Sequence, residues 1–221
     1  KGTSSAESLT LSFWVKSNKT GTYICEVYDD KFDALYLHDF YENVVAKLPY
    51  NFTNIANRDS APYGFSGSHR LIGCNVFNRE GLNKITNIEP ECYPDFYQMY
   101  EILENKILQE KFFLSNISVN LQAKEMDGTC HADADEGEDD EYTILVMTNP
   151  IWKKEWGPAS FQLLERYDNN ARVIEEHEYV PGRVLLIPSP HPHRGIAPIA
   201  PYVYRTSIVF RVTPNIEKHI P

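Results

Sequence analysis

The spacing of apolar positions changes character about halfway along the chain. In the first half, Leu9–Val15 and Thr22–Val27 read as short strands on either side of a turn at Asn18–Gly21. Leu35, Leu37, Phe40, Val44, Val45 and Leu48 then recur at three- and four-residue intervals, which predicts a helix over Phe32–Leu48, ended by Pro49. Asn51–Cys74 is rich in Asn, Ser, Gly and Pro and reads as mostly loop. A second helix is predicted over Pro94–Lys111: Pro94 suits a first turn, and Tyr97, Tyr100, Ile102, Leu103, Ile107 and Leu108 form an apolar stripe.

From Phe112 onward the period falls to two. Phe112–Lys124 alternates around Ile117, Val119 and Leu121, and Tyr142–Thr148 is a compact apolar run. Phe161–Tyr167 and Arg172–Tyr179 flank the turn Asp168–Ala171, and Val184–Ile187 and Tyr202–Val212 close the series. These strands leave no room for helices between them, which excludes a doubly wound parallel sheet. The order predicts a mainly β (α+β) architecture: a double-stranded β-helix, or jelly roll, with supporting N-terminal helices. No internal repeat or linker interrupts it. Residues 1–221 therefore read as one domain, with helical and loop support over about 1–111 and the jelly-roll core over about 112–213.

Composition narrows the partners. Hydrophobic residues make up 42% and charged residues 24%, ordinary values for a globular protein. The formal net charge of -10 argues against non-specific binding to nucleic acid or to an anionic membrane. No apolar run approaches the roughly 20 residues that a membrane helix needs. The polar start, Lys1 to Ser5, lacks the apolar stretch of a signal peptide, so a cytoplasmic location is expected. Cys25, Cys74, Cys92 and Cys130 are widely spread with no CxxC pair, which points to reduced thiols rather than a disulfide framework or a structural zinc site. The sequons at Asn18, Asn51 and Asn116 are then chance matches.

The candidate chemistry lies in the second half. In an extended segment residues i and i+2 point to one side, so His131 and Asp133 aim at one point. Two imidazoles and one carboxylate are the ligand set of a non-heme Fe(II) facial triad. The further imidazole comes from His193 or, alternatively, His191, both in the proline-stiffened run Pro188–Pro198. His177 sits among glutamates and is expected to be solvated. Arg205 stands in an otherwise apolar strand, where its charge needs a partner, and Ser207 shares its face. Asn120, Gln122 and Tyr142 lie near these strands as candidates for a pocket. Trp156 reads either as a wall of a substrate channel or as core. The acidic run Asp133–Glu141 reads as a solvated loop, with a lid or a contact to a cationic substrate as the alternative. As a calcium loop it is mismatched, with Ile144 at the position that requires Glu.

In this order, His131-x-Asp133, His193 and Arg205-x-Ser207 resemble the HxD…H…RxS signature of the 2-oxoglutarate/Fe(II)-dependent oxygenases, in their prolyl-4-hydroxylase-like branch. Glu155–Phe161, Pro181–Pro188 and His193–Pro198 are similar in texture to neighbouring segments of that branch, and the resemblance spans about Asn116 to Val212. It implies Fe(II) on His131, Asp133 and His193, 2-oxoglutarate anchored by Arg205 and Ser207, O2 as oxidant and ascorbate as a supporting reductant. The implied reaction is hydroxylation of an unactivated C–H bond with release of succinate and CO2. The implied partner is a prolyl or peptidyl, amino-acid or other small-molecule substrate. The rival from a different class is a non-catalytic, cupin-like metal-binding jelly roll, which has no need of the Arg205–Ser207 pair.

Overall fold

The computed structural model describes residues 25–27, 32, 34–55, 70–80, 84–87, 93–108, 111–134 and 141–213. The expected strand at Leu9–Val15 and most of the acidic run lie outside them. The described elements are β1 (Cys25–Val27), α1 (Ala34–Asn43), β2 (Asn51–Ile55), β3 (Arg70–Glu80), β4 (Lys84–Asn87), α2 (Tyr93–Ile102), β5 (Phe113–Gln122), β6 (Tyr142–Met147), β7 (Phe161–Leu164), β8 (Val173–His177), β9 (Val184–Pro188), β10 (His193–Gly195) and β11 (Arg205–Thr213).

The strands form two antiparallel sheets. The larger runs β1-β9-β6-β11-β5-β3-β2, with β4 on the end of β3, and the smaller runs β10-β7-β8. An isolated antiparallel bridge between His131 and His193 adds the HxD segment to the free edge of β10. Chain order thus alternates between the sheets, from β5 to the His131 segment, to β6, to β7–β8, to β9, to β10 and back to β11. This is the double wind of a jelly roll, as the sequence predicts.

Period-two patterning explains how the larger sheet serves two layers. On β11, Thr206, Ile208, Phe210 and Val212 face one way, and Arg205, Ser207, Val209 and Arg211 the other. Ile208, Phe210 and Val212 pack with Val76, Phe77, Ile117, Val119, Ile144 and Val146 beneath the helices, against Leu37 and Phe40 of α1 and Phe96, Met99 and Tyr100 of α2. Phe40 meets Phe96 edge-on at 5.2 Å, and the Tyr100 ring lies 5.7 Å from Phe210. The second layer lies between the sheets, where Leu145, Met147, Phe161, Leu163, Tyr179, Leu185, Ile187 and Val209 fill the roll. Among the described residues no helix is long and apolar enough to cross a membrane.

Three expectations need correction. Asn51–Cys74 is not mostly loop at its ends, because β2 and β3 occupy both. The second helix is regular only to Ile102 and continues as a wider π turn over Leu103–Leu108, short of Lys111. Glu104 explains the change: buried, it accepts hydrogen bonds from Tyr100 Oη, Phe112 N and Lys111 Nζ and draws the next strand back onto the turn. Burial opposes the Glu104 charge, yet these donors hold its carboxyl below the usual value. His177 is not solvated: it is 5% exposed, opposite Phe161 on β8, with Nε2 3.3 Å from Glu175 Oε1.

Candidate active site

The site begins at the bridge between the two histidines. His131 N donates to His193 O at 3.0 Å and His193 N to His131 O at 2.9 Å, so reciprocal bonds fix one backbone against the other. The HxD segment is pinned further by Asp133 N donating to Ser189 O at 2.8 Å. Both rings then use the same local device. His131 Nδ1 lies 2.9 Å from Thr129 O, and His193 Nδ1 lies 2.8 Å from His191 O, in each case a carbonyl two residues earlier. A carbonyl only accepts, so the proton sits on Nδ1 and each Nε2 keeps its lone pair for a metal.

The ligand atoms of His131, Asp133 and His193 lie within 4.8 Å of one another. His193 Nε2 is 3.7 Å from Asp133 Oδ2, and His131 Nε2 is 4.0 Å from Asp133 Oδ1. His193 is the imidazole that converges with the HxD pair, while the His191 carbonyl orients it. Burial pushes the His193 ring down to about 4, helped by the neighbouring His131, so it is neutral and ligand-ready near pH 7. Burial alone would raise the Asp133 carboxyl, but His193, Arg211, His131 and the Thr143 hydroxyl outweigh it and hold it below the usual range. Thr143 Oγ1 donates to Asp133 Oδ2 at 2.7 Å, and Arg211 Nη2 donates to Oδ1 at 2.9 Å. Each oxygen therefore has one fixed partner and a lone pair left over. Two imidazoles and a carboxylate converging in this way suit a divalent first-row metal such as Fe(II).

Arg205 is 2% exposed on the inner face of β11. Its Nε donates to Ala159 O at 3.0 Å, its Nη1 donates to Gln122 Oε1, and its guanidinium carbon stands 5.6 Å from the centre of the Tyr179 ring. Burial pushes its pKa down to about 10, against the opposing pull of Tyr179, so it keeps its charge near neutral pH. Its Nη2 is buried with no hydrogen-bond partner among the described residues. Such an orphan costs about 1–3 kcal/mol and more beside a charge, and a carboxylate satisfies it. Gly195, two residues beyond His193 on β10, is what lets this group approach. A Cβ there would stand 2.9 Å from Gln122 Oε1 and 3.0 Å from Arg205 Nη1. Two residues of strand span about 7 Å. Arg205 and the triad are thus separated by a distance that a five-carbon dicarboxylate can bridge. The residues present fit both a metal and such a co-substrate.

The other candidates divide. Gln122 is 1% exposed and holds Arg205, anchored itself through Nε2 to Met126 O and Gly195 O. Ser207 lies beside Arg205 on the inner face, directly opposite Asn120. Tyr142 points to the helical layer instead, with its ring 6.4 Å from Phe112, because it stands out of phase with Thr143 and Leu145. Trp156 lies in a 3-10 turn before β7, edge-on to Trp152 at 5.4 Å and with Lys153 Nζ 5.5 Å from its ring. Sequence reasoning missed Thr143, Tyr179 and Arg211, none of which belongs to a spaced motif, and met Gly195 only as part of the His193–Pro198 run, with no role attached. Tyr179 Oη donates to Thr206 O at 2.6 Å and accepts from Asn149 N at 2.8 Å, tying the start of β11 to the wall beneath Arg205.

No protein-family model matches the sequence, and no curated protein sequence matches it. Solved structures do match. An oxidoreductase of the 2OG-Fe(II) oxygenase family from Burkholderia pseudomallei is 16% identical, with 88% of this chain and 86% of that chain covered at a TM-score of 0.58. HygX from Streptomyces hygroscopicus, solved with nickel and 2-oxoglutarate bound, is 12% identical, with 88% and 84% covered at 0.57. A prolyl hydroxylase from Trichoplax adhaerens, in complex with a hypoxia inducible factor oxygen degradation domain peptide fragment, is 13% identical, with 86% and 83% covered at 0.53. Over the described residues, the chain has the jelly-roll fold of the 2-oxoglutarate/Fe(II) oxygenases, with its helical support.

Proposed function

We propose that the protein is a 2-oxoglutarate- and Fe(II)-dependent dioxygenase that hydroxylates an unactivated C–H bond of an amino-acid, prolyl or peptidyl substrate. The observation that carries this reading is the orphan Arg205 Nη2, buried two residues' length from a converging His131–Asp133–His193 cluster. A passive metal-binding jelly roll has no use for a buried, half-satisfied guanidinium at that distance.

The residues divide the work. His131, Asp133 and His193 would hold Fe(II) on one face and leave the other open. Fe(II), when bound with 2-oxoglutarate and O2, supplies the oxidant, and succinate and CO2 are the co-products. Arg205 receives the far carboxylate of 2-oxoglutarate, with the Ser207 hydroxyl as a second donor. Gln122 and Tyr179 hold the guanidinium in place through contacts that need no co-substrate. Phe161, whose ring lies 5.1 Å from that of His193, and Leu163 keep water from the buried side of the centre.

The test is 2-oxoglutarate binding to the metal-loaded protein, followed by succinate release with Fe(II), O2 and ascorbate over a panel of amino acids and peptides. Arg205→Ala should bind metal normally and lose 2-oxoglutarate affinity by at least a hundredfold, since it removes a buried charge-assisted pair of about 3 kcal/mol or more. Equal 2-oxoglutarate affinity in that variant, or no binding by the wild type, would refute the assignment.

A further inference from the structure

Arg211 is the second arginine on the inner face of β11, at the opposite end from Arg205. Six residues of strand separate them by about 20 Å, and the triad lies between. Where Arg205 is sealed, Arg211 is open: its side chain is 39% exposed. Among the described residues its guanidinium donates one hydrogen bond, from Nη2 to Asp133 Oδ1 at 2.9 Å. A guanidinium carries five N–H donors in a planar fork, so the bond to Asp133 engages one edge of a group that stays partly exposed.

The wall beside it is polar. β5 places Asn116 opposite Arg211, Ser118 opposite Val209 and Asn120 opposite Ser207, so all three share the inner face. Each is only half-buried, whereas Ile117 and Val119 between them are fully buried in the helical layer.

We propose that Arg211 determines specificity at this site: it orients Asp133 and offers the rest of its guanidinium to a carboxylate on the substrate. The inference rests on the oxygenase reading and narrows it. The substrate is an acid, held through its carboxylate against Arg211 and the Asn116–Asn120 wall, with the oxidised C–H a short reach away over the metal. A free amino acid and the terminal or side-chain carboxylate of a peptide both supply that group.

Two measurements test it. The first needs no turnover: Co(II) affinity and the visible Co(II) spectrum of wild type, Arg211→Lys and Arg211→Gln, followed by 2-oxoglutarate titration. Loss of the outer partner of a ligand should lower Co(II) affinity of the Gln variant about tenfold and change its spectrum, with Lys intermediate. Because Arg205 anchors the co-substrate, 2-oxoglutarate affinity should change less than threefold. A Gln variant identical to wild type in metal affinity and spectrum overturns the positioning role.

The second measurement uses wild type and the same variants with free L-amino acids, N-acetyl amino acids and short peptides, each against its carboxamide. It is scored by perturbation of the Co(II)–2-oxoglutarate spectrum and by succinate release. In wild type the acid should be preferred at least tenfold. Lys should retain the preference, and Gln should lose it through KM rather than kcat. Response to free acids alone identifies a small molecule, and response to peptide acids identifies a peptide. Equal response to acid and amide, no response to any acid, or a Gln variant that keeps the preference overturns the carboxylate reading. If 2-oxoglutarate itself does not bind, the oxygenase reading fails first. If it binds and acids are not distinguished, only this inference fails.

Discussion

Gly195→Ala is the sharpest test of how the co-substrate end of the site is built. Nothing in the backbone forbids alanine, since Gly195 does not have the left-handed φ found at Gly157 and Gly182. The obstacle is space. The added Cβ would sit 2.9 Å from Gln122 Oε1 and 3.0 Å from Arg205 Nη1. Ordinary contact needs about 3.4 Å, so both atoms must retreat by roughly half an ångström. Neither retreats freely: Gln122 is tied to Met126 O and Gly195 O, and Arg205 to Ala159 O. The strain falls on the Arg205–Gln122 bond, a charge-assisted contact worth about 1.5–3 kcal/mol. Losing half or more of it should weaken 2-oxoglutarate binding by about 1–2 kcal/mol, or roughly five- to thirtyfold. Calorimetric titration of 2-oxoglutarate into the Mn(II)-loaded protein measures this directly. Mn(II) affinity should stay at the wild-type value, because the triad lies on the far side of the substitution. An alanine variant that unfolds like wild type and binds 2-oxoglutarate within twofold of it would refute the claim that Gly195 sets the position of Arg205.

Thr143→Val removes the donor to Asp133 Oδ2 and the contact to Ser189 Oγ, and should lower metal affinity about tenfold in a chelator-competition titration. In the metal-free protein, the folded His193 value of about 4 lies below the ordinary 6.5, so between these values the unfolded chain takes up a proton that the folded chain refuses. Its stabilising contribution is complete above pH 6.5 and is lost as the pH falls. Urea unfolding should therefore show about 2 kcal/mol less stability at pH 4.5 than at pH 7, and His193→Gln should flatten that difference. Asp133, held below the usual carboxylate range, acts in the same direction but only at lower pH. Phe210→Ala, in the layer beneath α2, should cost about 3–5 kcal/mol in the same assay while leaving the Co(II) spectrum of the folded protein unchanged.

What the sequence reveals depends on which face of a strand carries the apolar residues. β6, β9 and β11 are legible because one face, or both, is filled with Val, Ile, Leu and Phe. β3 is not. Its inner face contributes Gly73, Asn75 and Asn78, and the register shift between Asn75 and Phe77 moves the apolar set from one parity to the other. A polar face plus a bulge erases the alternation that marks a strand. β10 is three residues long in a proline-rich run, too short for any periodic signal. In the site, His131, Asp133, His193 and Arg205 are legible because a spaced pattern ties them together. Thr143, Tyr179, Gly195 and Arg211 act through contacts made only on folding, and nothing in the sequence around them announces those contacts. His177 misleads for the converse reason: its chain neighbours are acidic, but its place opposite Phe161 turns it inward.

The reciprocal backbone bonds between His131 and His193 bear on how the centre acquires its ion. Two of the three ligands are held in separation and ring orientation by hydrogen bonds to main-chain groups, none of which uses a metal-binding Nε2. Loading then requires little ordering of the chain, so ions can exchange on a finished scaffold, and the ion carried follows supply in the cell as much as intrinsic preference. The amide protons of both histidines should accordingly exchange with solvent deuterium as slowly without metal as with it.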